Sequence, residues 1–282
     1  MQLDGKLISS GVYTTLKPRI TKLINNGIVP KIIVILIGDN EESKIYVNMK
    51  SKKCQELGII CDIILKEDAI PQQNIIKLIN EKNTDRSVHG IMVQLPLSPH
   101  LNTDEILNTI SPNKDVDGLT ESSLGSLAKG TPLFSPCTPL GCIYLLRKYN
   151  INCKGKHVVV IGSSNLVGLP LSMMLIHHGA TVTICNINTL NTKDHTVKAD
   201  IVISCCGVPN LVKKDWIKEN SILLDVGITK VNGKIIGDID FDDVKDKCSY
   251  ITPVPGGIGP MTIAMLVKQI VESSEMTLLN NL

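Results

Sequence analysis

The sequence predicts an α/β protein built as two domains, each around a parallel sheet. Short apolar, β-branched runs alternate with longer helical patterns, the mark of consecutive β-α-β units. The alternation halts over Ser111–Pro139, a Gly-, Ser- and Pro-rich stretch without a period, and then restarts. A chain of 282 residues has room for two cores.

Lys31–Ile37 is apolar on both faces, as a parallel strand covered by helices must be, and Gly38-Asp39-Asn40 ends it. A helix is expected over Glu41–Leu57, stopped by Gly58 at C′. Ile59–Leu65 is the next strand, Pro71 opens a helix to Lys82, and Val88–Val93 is a third strand. After the break, His157–Ile161 is a strand and Leu166–His178 a helix ended by Gly179. Thr181–Cys185, Ile201–Cys205 and Ile222–Val226 are further strands, and Met261–Glu272 is helical. These runs place a first domain at 1–138 and a second at 139–259. No internal repeat or low-complexity tract is visible.

Composition removes several classes of function. A net charge of +2 and 3% aromatic residues offer neither a basic footprint nor a stacking surface for nucleic acid. No basic block exceeds the pair in Ser51-Lys52-Lys53. Nine cysteines form no C-x-x-C pair and six histidines supply no zinc spacing, so reduced thiols and no metal are expected. Met1–Lys6 carries no apolar signal core, and no apolar run approaches the roughly 20 residues that span a bilayer. A cytoplasmic protein without membrane contact follows.

Val158–Gly162 meets Ser163-Ser164-Asn165-Leu166-Val167-Gly168 at the start of a helix. A strand, a glycine turn and a helix N-terminus form an anion site, because unpaired N–H groups and the helix dipole face one point. The spacing is not G-x-G-x-x-G, so a plain strand-to-helix turn stays open beside a nucleotide loop. An acidic residue after the second strand would select NAD, and an arginine NADP. That segment reads Cys185-Asn186-Ile187-Asn188-Thr189, with neither, so both cofactors stay open.

On the Glu41–Leu57 helix, Tyr46, Lys50, Cys54 and Leu57 fall at i, i+4, i+8 and i+11 and share a face. A lysine within an apolar stripe is a candidate proton shuttle, since burial disfavours the ammonium form. A lysine reaching water at the edge of the stripe is the bland alternative. Gln94 ends an apolar strand, where ligands bind in open α/β sheets. Asp115 and Asp117 stand on one side of what reads as an extended segment before a turn.

Together these segments closely resemble the bifunctional methylenetetrahydrofolate dehydrogenase/methenyltetrahydrofolate cyclohydrolase family. The motifs run in order: Ser43-x-x-Tyr46-x-x-x-Lys50, Val93-Gln-Leu-Pro-Leu97, Lys114-Asp-Val-Asp-Gly118 and Pro136-Cys-Thr-Pro139. Val160-Ile-Gly-x-Ser164-x-x-Val-Gly168-x-Pro170, Asp225-Val-Gly-Ile228 and Pro253-Val-Pro-Gly-Gly-x-Gly-Pro-Met-Thr262 complete them.

The resemblance implies oxidation of methylenetetrahydrofolate with NADP, NAD being possible, then hydrolysis of the methenyl product. This is one-carbon chemistry that serves purine biosynthesis. It implies Lys50 as general acid/base, Tyr46 as the residue positioning the folate ring system, Gln94 holding Lys50, and Asp117 accepting from pterin N–H groups. Gly162, Ser163, Ser164, Val167, Gly168 and Ile228 would bind the cofactor. Pro255, Gly256 and Gly257 would let backbone approach the folate. It further implies a folate site in a cleft between the domains, a Rossmann-type second domain, residues 260–282 packing back on the first, and a homodimer. No fused synthetase domain is expected.

One departure matters. Family members usually carry Arg where this chain has Ser163, and His-Ser or His-Arg where it has Asn186-Ile187. The expected consequence is a weaker NADP preference; a feeble dehydrogenase beside an intact cyclohydrolase is the alternative. Another Rossmann-type dehydrogenase would leave Tyr46, Lys50, Gln94 and Asp117 unexplained, and a non-catalytic binding protein would not need Lys50.

Overall fold

The structure, a computed structural model, describes residues 1–280. The chain divides into two compact units: Val12–Ser135 with the chain from Leu266 onward, and Met1–Gly11 with Pro136–Met265. The elements begin with α1 (Gly5–Asn25), β1 (Lys31–Ile37), α2 (Glu41–Glu56), β2 (Ile60–Lys66), α3 (Gln72–Thr84) and β3 (Gly90–Val93). Then come α4 (Thr103–Asn108), α5 (Glu121–Ala128) and α6 (Cys137–Lys148).

β1 lies between β2 and β3 in a fully parallel sheet, with Ile32 opposite both Cys61 and Gly90. Its central place explains its unbroken apolar sequence. Ile33, Ile35 and Ile37 pack with Ile75 and Ile79 of α3 in one core. α2 starts at Asn40, whose side chain accepts from the Ser43 N–H at 2.9 Å. It ends where the Ile59 N–H reaches back to the Cys54 carbonyl and Gly58 adopts φ 78°.

α1 has no counterpart in the sequence reading. Val12, Leu16, Ile20 and Leu23 form its buried stripe, but Gly11 and Pro18 interrupt the pattern on the page. The Ser111–Pro139 stretch also departs from expectation, since it holds α5 and the first turn of α6. α5 is only two turns long and rich in Ser and Gly, so its period is too short to register. Thr120 caps it by accepting from the Ser123 N–H at 3.1 Å.

The elements of the second unit are β4 (His157–Ile161), α7 (Gly168–His177), β5 (Thr181–Cys185), α8 (Thr192–Thr196) and β6 (Ile201–Ser204). β7 (Ile222–Asp225), β8 (Thr229–Val231), β9 (Lys234–Ile236), α9 (Phe241–Val244), β10 (Tyr250–Ile251) and α10 (Ile258–Asn280) follow. The parallel sheet has the order β10-β7-β6-β4-β5. Chain order reverses direction at β4, which has β5 on one side and β6 on the other. That is the switch point where doubly wound sheets bind ligands. β8 and β9 form a hairpin closed by Asn232 and Gly233, both at positive φ.

Asp225 is 4% exposed, and its carboxylate accepts from the Asp238 and Ile239 N–H groups, each at 2.9 Å. Burial, with Asp238 nearby, outweighs those donors and pushes its pKa up to about 7. An unfolded Asp titrates near 4, so between about pH 4 and 7 the folded chain binds the extra proton. The stabilisation from this group is therefore complete below pH 4 and is lost as pH rises through 7. His89, held down at about 4 by burial, acts in the opposite sense, but only below about pH 6.5. Between about pH 4 and 7 the urea midpoint of the wild type should fall with rising pH relative to that of Asp225→Asn, because His89 acts alike in both proteins. An unchanged slope in the variant would refute the assignment.

Candidate functional site

Lys50 sits on the buried face of α2 together with Ser43, Val47, Ser51 and Cys54 and is 9% exposed. Its Nζ donates to Gln94 Oε1 at 3.0 Å and contacts the Met92 thioether at 3.3 Å. Gln94 is fixed in turn, because its Nε2 donates to the Leu95 carbonyl at 2.8 Å. The amide oxygen is thereby turned toward the lysine. Gln94 directly follows β3, so the pair stands at the carboxyl ends of the parallel strands. Tyr46, one turn earlier on α2, is half-buried, and burial followed by Glu42 raises its phenol pKa. It lies at the edge of the buried stripe, not in its centre. An amine held by an acceptor and an apolar thioether is equipped to exchange protons with a bound substrate.

The two carboxylates of Lys114-Asp-Val-Asp-Gly118 are not equivalent, and the segment is a turn, not extended chain. The Gly118 N–H closes it on the Asp115 carbonyl at 3.0 Å, with Gly118 at φ 72°. Asp115 is buried and accepts from the Gly118, Leu119 and Thr120 N–H groups and from the Ser123 hydroxyl. Asp117 is half-buried on the same turn. Gln269 of α10, which the sequence did not single out, clasps this region. Its Nε2 donates to the Val116 and Ser135 carbonyls at 2.8 and 2.9 Å. Asp115 is therefore structural: Asp115→Asn, which keeps one acceptor oxygen, should lower stability by about 1–2 kcal/mol in a thermal melt. An unchanged melt would remove that role.

In the other unit the loop after β4 is shaped by glycine. Gly162 has φ 118°, and a Cβ there would meet the Cys205 carbonyl oxygen and sulfur at 2.8 Å. A Cβ on Gly168 would collide with the Gly162 carbonyl, so both positions need glycine. α7 starts at Gly168, two residues later than expected. The N–H groups of Ser163, Ser164, Asn165 and Leu166 have no acceptor among the described residues, while Val167 N–H is taken by Ser164 Oγ at 3.2 Å. A run of unpaired donors ahead of a helix suits a pyrophosphate. After β5, Asn186 closes a tight turn on Asn188 and Thr189, with no cation in it. Ile228, beyond β7, is 41% exposed.

Pro255 is exposed, whereas Gly256 and Gly257 are buried. A Cβ on Gly257 would meet Thr252 Cβ at 2.7 Å, and Gly5 approaches the Gly257 carbonyl too closely to carry one. The close approach these glycines permit is thus made to their own chain. The neighbouring motifs also support one another, since Thr138 and Thr262 share a hydroxyl hydrogen bond of 3.0 Å.

Comparison with known proteins bears on the whole chain. The model for the tetrahydrofolate dehydrogenase/cyclohydrolase catalytic domain matches residues 3–117, and that for the NAD(P)-binding domain matches 136–278. The bifunctional protein FolD of Thermodesulfovibrio yellowstonii is 45% identical over 275 residues, covering 97% of this chain and 96% of its own. The crystal structure of the bifunctional FolD dehydrogenase/cyclohydrolase from Campylobacter jejuni superposes with a TM-score of 0.96. It is 46% identical, with 100% of this chain and 99% of that chain covered. The Trypanosoma brucei FolD, solved with NADP and an inhibitor, gives a TM-score of 0.94 at 32% identity, covering 99% and 98%. This chain belongs to the tetrahydrofolate dehydrogenase/cyclohydrolase family.

Proposed function

We propose that the protein oxidises 5,10-methylenetetrahydrofolate to the 5,10-methenyl cation with NADP, then hydrolyses the cation to 10-formyltetrahydrofolate. Supporting this most directly is the buried Lys50–Gln94 pair at the strand ends of the unit that matches the catalytic domain. The nicotinamide, when bound, supplies the hydride acceptor. The N–H groups of Ser163 and Ser164, with Gly162, Val167 and Gly168 shaping the loop, would hold the cofactor's phosphates, and Ile228 would give it an apolar contact.

In the hydrolytic step a water oxygen adds to the methenyl carbon. The water oxygen loses both of its protons as it becomes the formyl carbonyl, the bond from that carbon to N5 breaks, N5 takes one proton, and the other is released. Lys50 is the group for these transfers, and Gln94 Oε1 fixes the direction of its Nζ. Tyr46 would position the folate rings, and Asp117 would accept from the pterin N–H groups, which form a donor-rich edge. Pro255, Gly256 and Gly257 complete the proposed folate contacts. The reading includes a cytoplasmic homodimer, which sedimentation would measure.

The test mixes purified protein with methylenetetrahydrofolate and follows methenyl and reduced-cofactor absorbance, with NADP and NAD in parallel. Methenyl formation followed by its hydrolysis is expected. Failure to turn over methylenetetrahydrofolate with either cofactor, with no hydrolysis of added methenyltetrahydrofolate, would overturn the reading.

A further inference from the structure

The sheet of the first-described unit has a second, opposite edge. Lys31 opens β1 and His89 immediately precedes β3, and these amino-terminal ends line a cavity of about 1070 Å³. Gln94 leaves the same sheet at its carboxyl edge, so the cavity lies at the far end of the strands from Lys50. All of its lining residues belong to this one unit.

Its wall combines three cations with apolar surface. Lys31, Arg86 and Lys114 line it, and among the described residues no Asp or Glu does. Arg86 is exposed and has no ion pair among the described residues. Lys114 donates to the Lys82 and Asp85 carbonyls at 2.9 and 2.6 Å, which leaves its charge uncancelled by a direct partner. Lys31 is shared with Asp62 at 2.8 Å. Ile28, Val29, Ile60, Val88, Met276 and Leu279 supply the apolar part.

His89 makes this a built site. The ring is 5% exposed, and its Nδ1 accepts from the Lys31 N–H at 3.2 Å. A neutral imidazole that accepts through Nδ1 carries its proton on Nε2. That Nε2–H has no acceptor among the described residues, and the ring lines the cavity. Facing the cavity, this donor is open to an acceptor from outside the chain. The ring cannot share in the cationic character, because burial, then the Lys114 charge, favours its neutral form.

We infer that this cavity binds an organic anion, a carboxylate or phosphate carried on an apolar body. The anion would accept from His89 Nε2 and face Arg86 and Lys114, with its body against Met276 and Leu279. The size of the cavity argues for an organic ligand over a bare ion, since pockets for such molecules run from about 300 to 1,000 Å³.

The test uses the full chain with nitrogen-15-labelled histidine. Octanoate, octyl phosphate, inorganic phosphate and octylamine are titrated in turn, with the His89 resonances identified by their loss in His89→Gln. Octanoate or octyl phosphate should move the His89 Nε2 signal saturably, and which binds more tightly tells carboxylate from phosphate. Arg86→Glu should weaken the better ligand by about tenfold, through loss of an attraction and gain of a repulsion. Arg86 is exposed, so the fold is not at stake, and an unchanged melting temperature checks this. Inorganic phosphate should bind at least about tenfold more weakly, and octylamine should leave the signal in place. Absence of a saturable shift with both octyl anions would overturn the proposal. So would an affinity indifferent to Arg86→Glu, or phosphate binding as tightly as the octyl anions.

Discussion

Lys50→Met should stop methenyl hydrolysis while oxidation of methylenetetrahydrofolate continues. Proton transfer by a positioned side chain is worth on the order of 10²–10⁴ in rate, and the variant should lose a factor in that range. Methionine is unbranched and close to lysine in length, so it can lie in the same slot beside Met92 and Cys54. What it removes is the one group that Gln94 Oε1 holds, and with it the exchangeable proton. The amide oxygen is left without its donor, for a stability loss of about 1–2 kcal/mol, partly offset by removing a buried cation. The variant should therefore fold. In the coupled assay, methenyl absorbance should accumulate in step with reduced cofactor instead of decaying. Lys50→Arg should also fail in hydrolysis, because a guanidinium does not release a proton near neutrality. Hydrolysis within tenfold of wild type in both variants would take the acid/base role away from Lys50.

How far the sequence discloses this site depends on how local each determinant is. Lys31–Ile37 and His157–Ile161 are delimited to the residue because each is an inner strand, apolar after its first residue, with a glycine at its far border. The placement of Lys50 on an inward face follows from helical spacing alone. Its contact with Gln94 does not, since it joins residues 44 apart through a sheet. The two aspartates of the 114–118 motif show the same limit. Spacing treats them alike, but Gly118 at positive φ, with Thr120 and Ser123 beyond it, turns Asp115 inward. Gln269 is more remote still, 153 residues from the Val116 carbonyl it holds. The Asn232-Gly233 hairpin goes unread, because its three-residue strands are too short to show alternation. The His89 cavity gave no sign at all, because it is formed by the beginnings of strands and the end of a distant helix.

The cofactor loop leads to the second large effect, an expected gain. Ser163→Arg should tighten NADP binding by on the order of ten- to a hundredfold and change NAD binding by less than about twofold. In the proposed function the loop's unpaired N–H groups would hold the phosphates that both cofactors share, so they would not discriminate between them. Discrimination needs a cation at the extra 2′-phosphate. Ser163 is exposed and carries none, and the turn after β5 is closed by Asn186, Asn188 and Thr189. An arginine fork on a phosphate makes charge-assisted hydrogen bonds worth about 1.5–3 kcal/mol, and each 1.4 kcal/mol is tenfold in affinity. Because the loop backbone at 163 is already exposed, the longer side chain needs no rearrangement to reach solvent. The gain should shrink with added salt, as an exposed ion pair does. Equal tightening of NAD and NADP would mean that the arginine meets the shared pyrophosphate instead. No tightening of either would place the 2′-phosphate beyond the reach of position 163, and the turn at Asn186 would then be the place to engineer the preference.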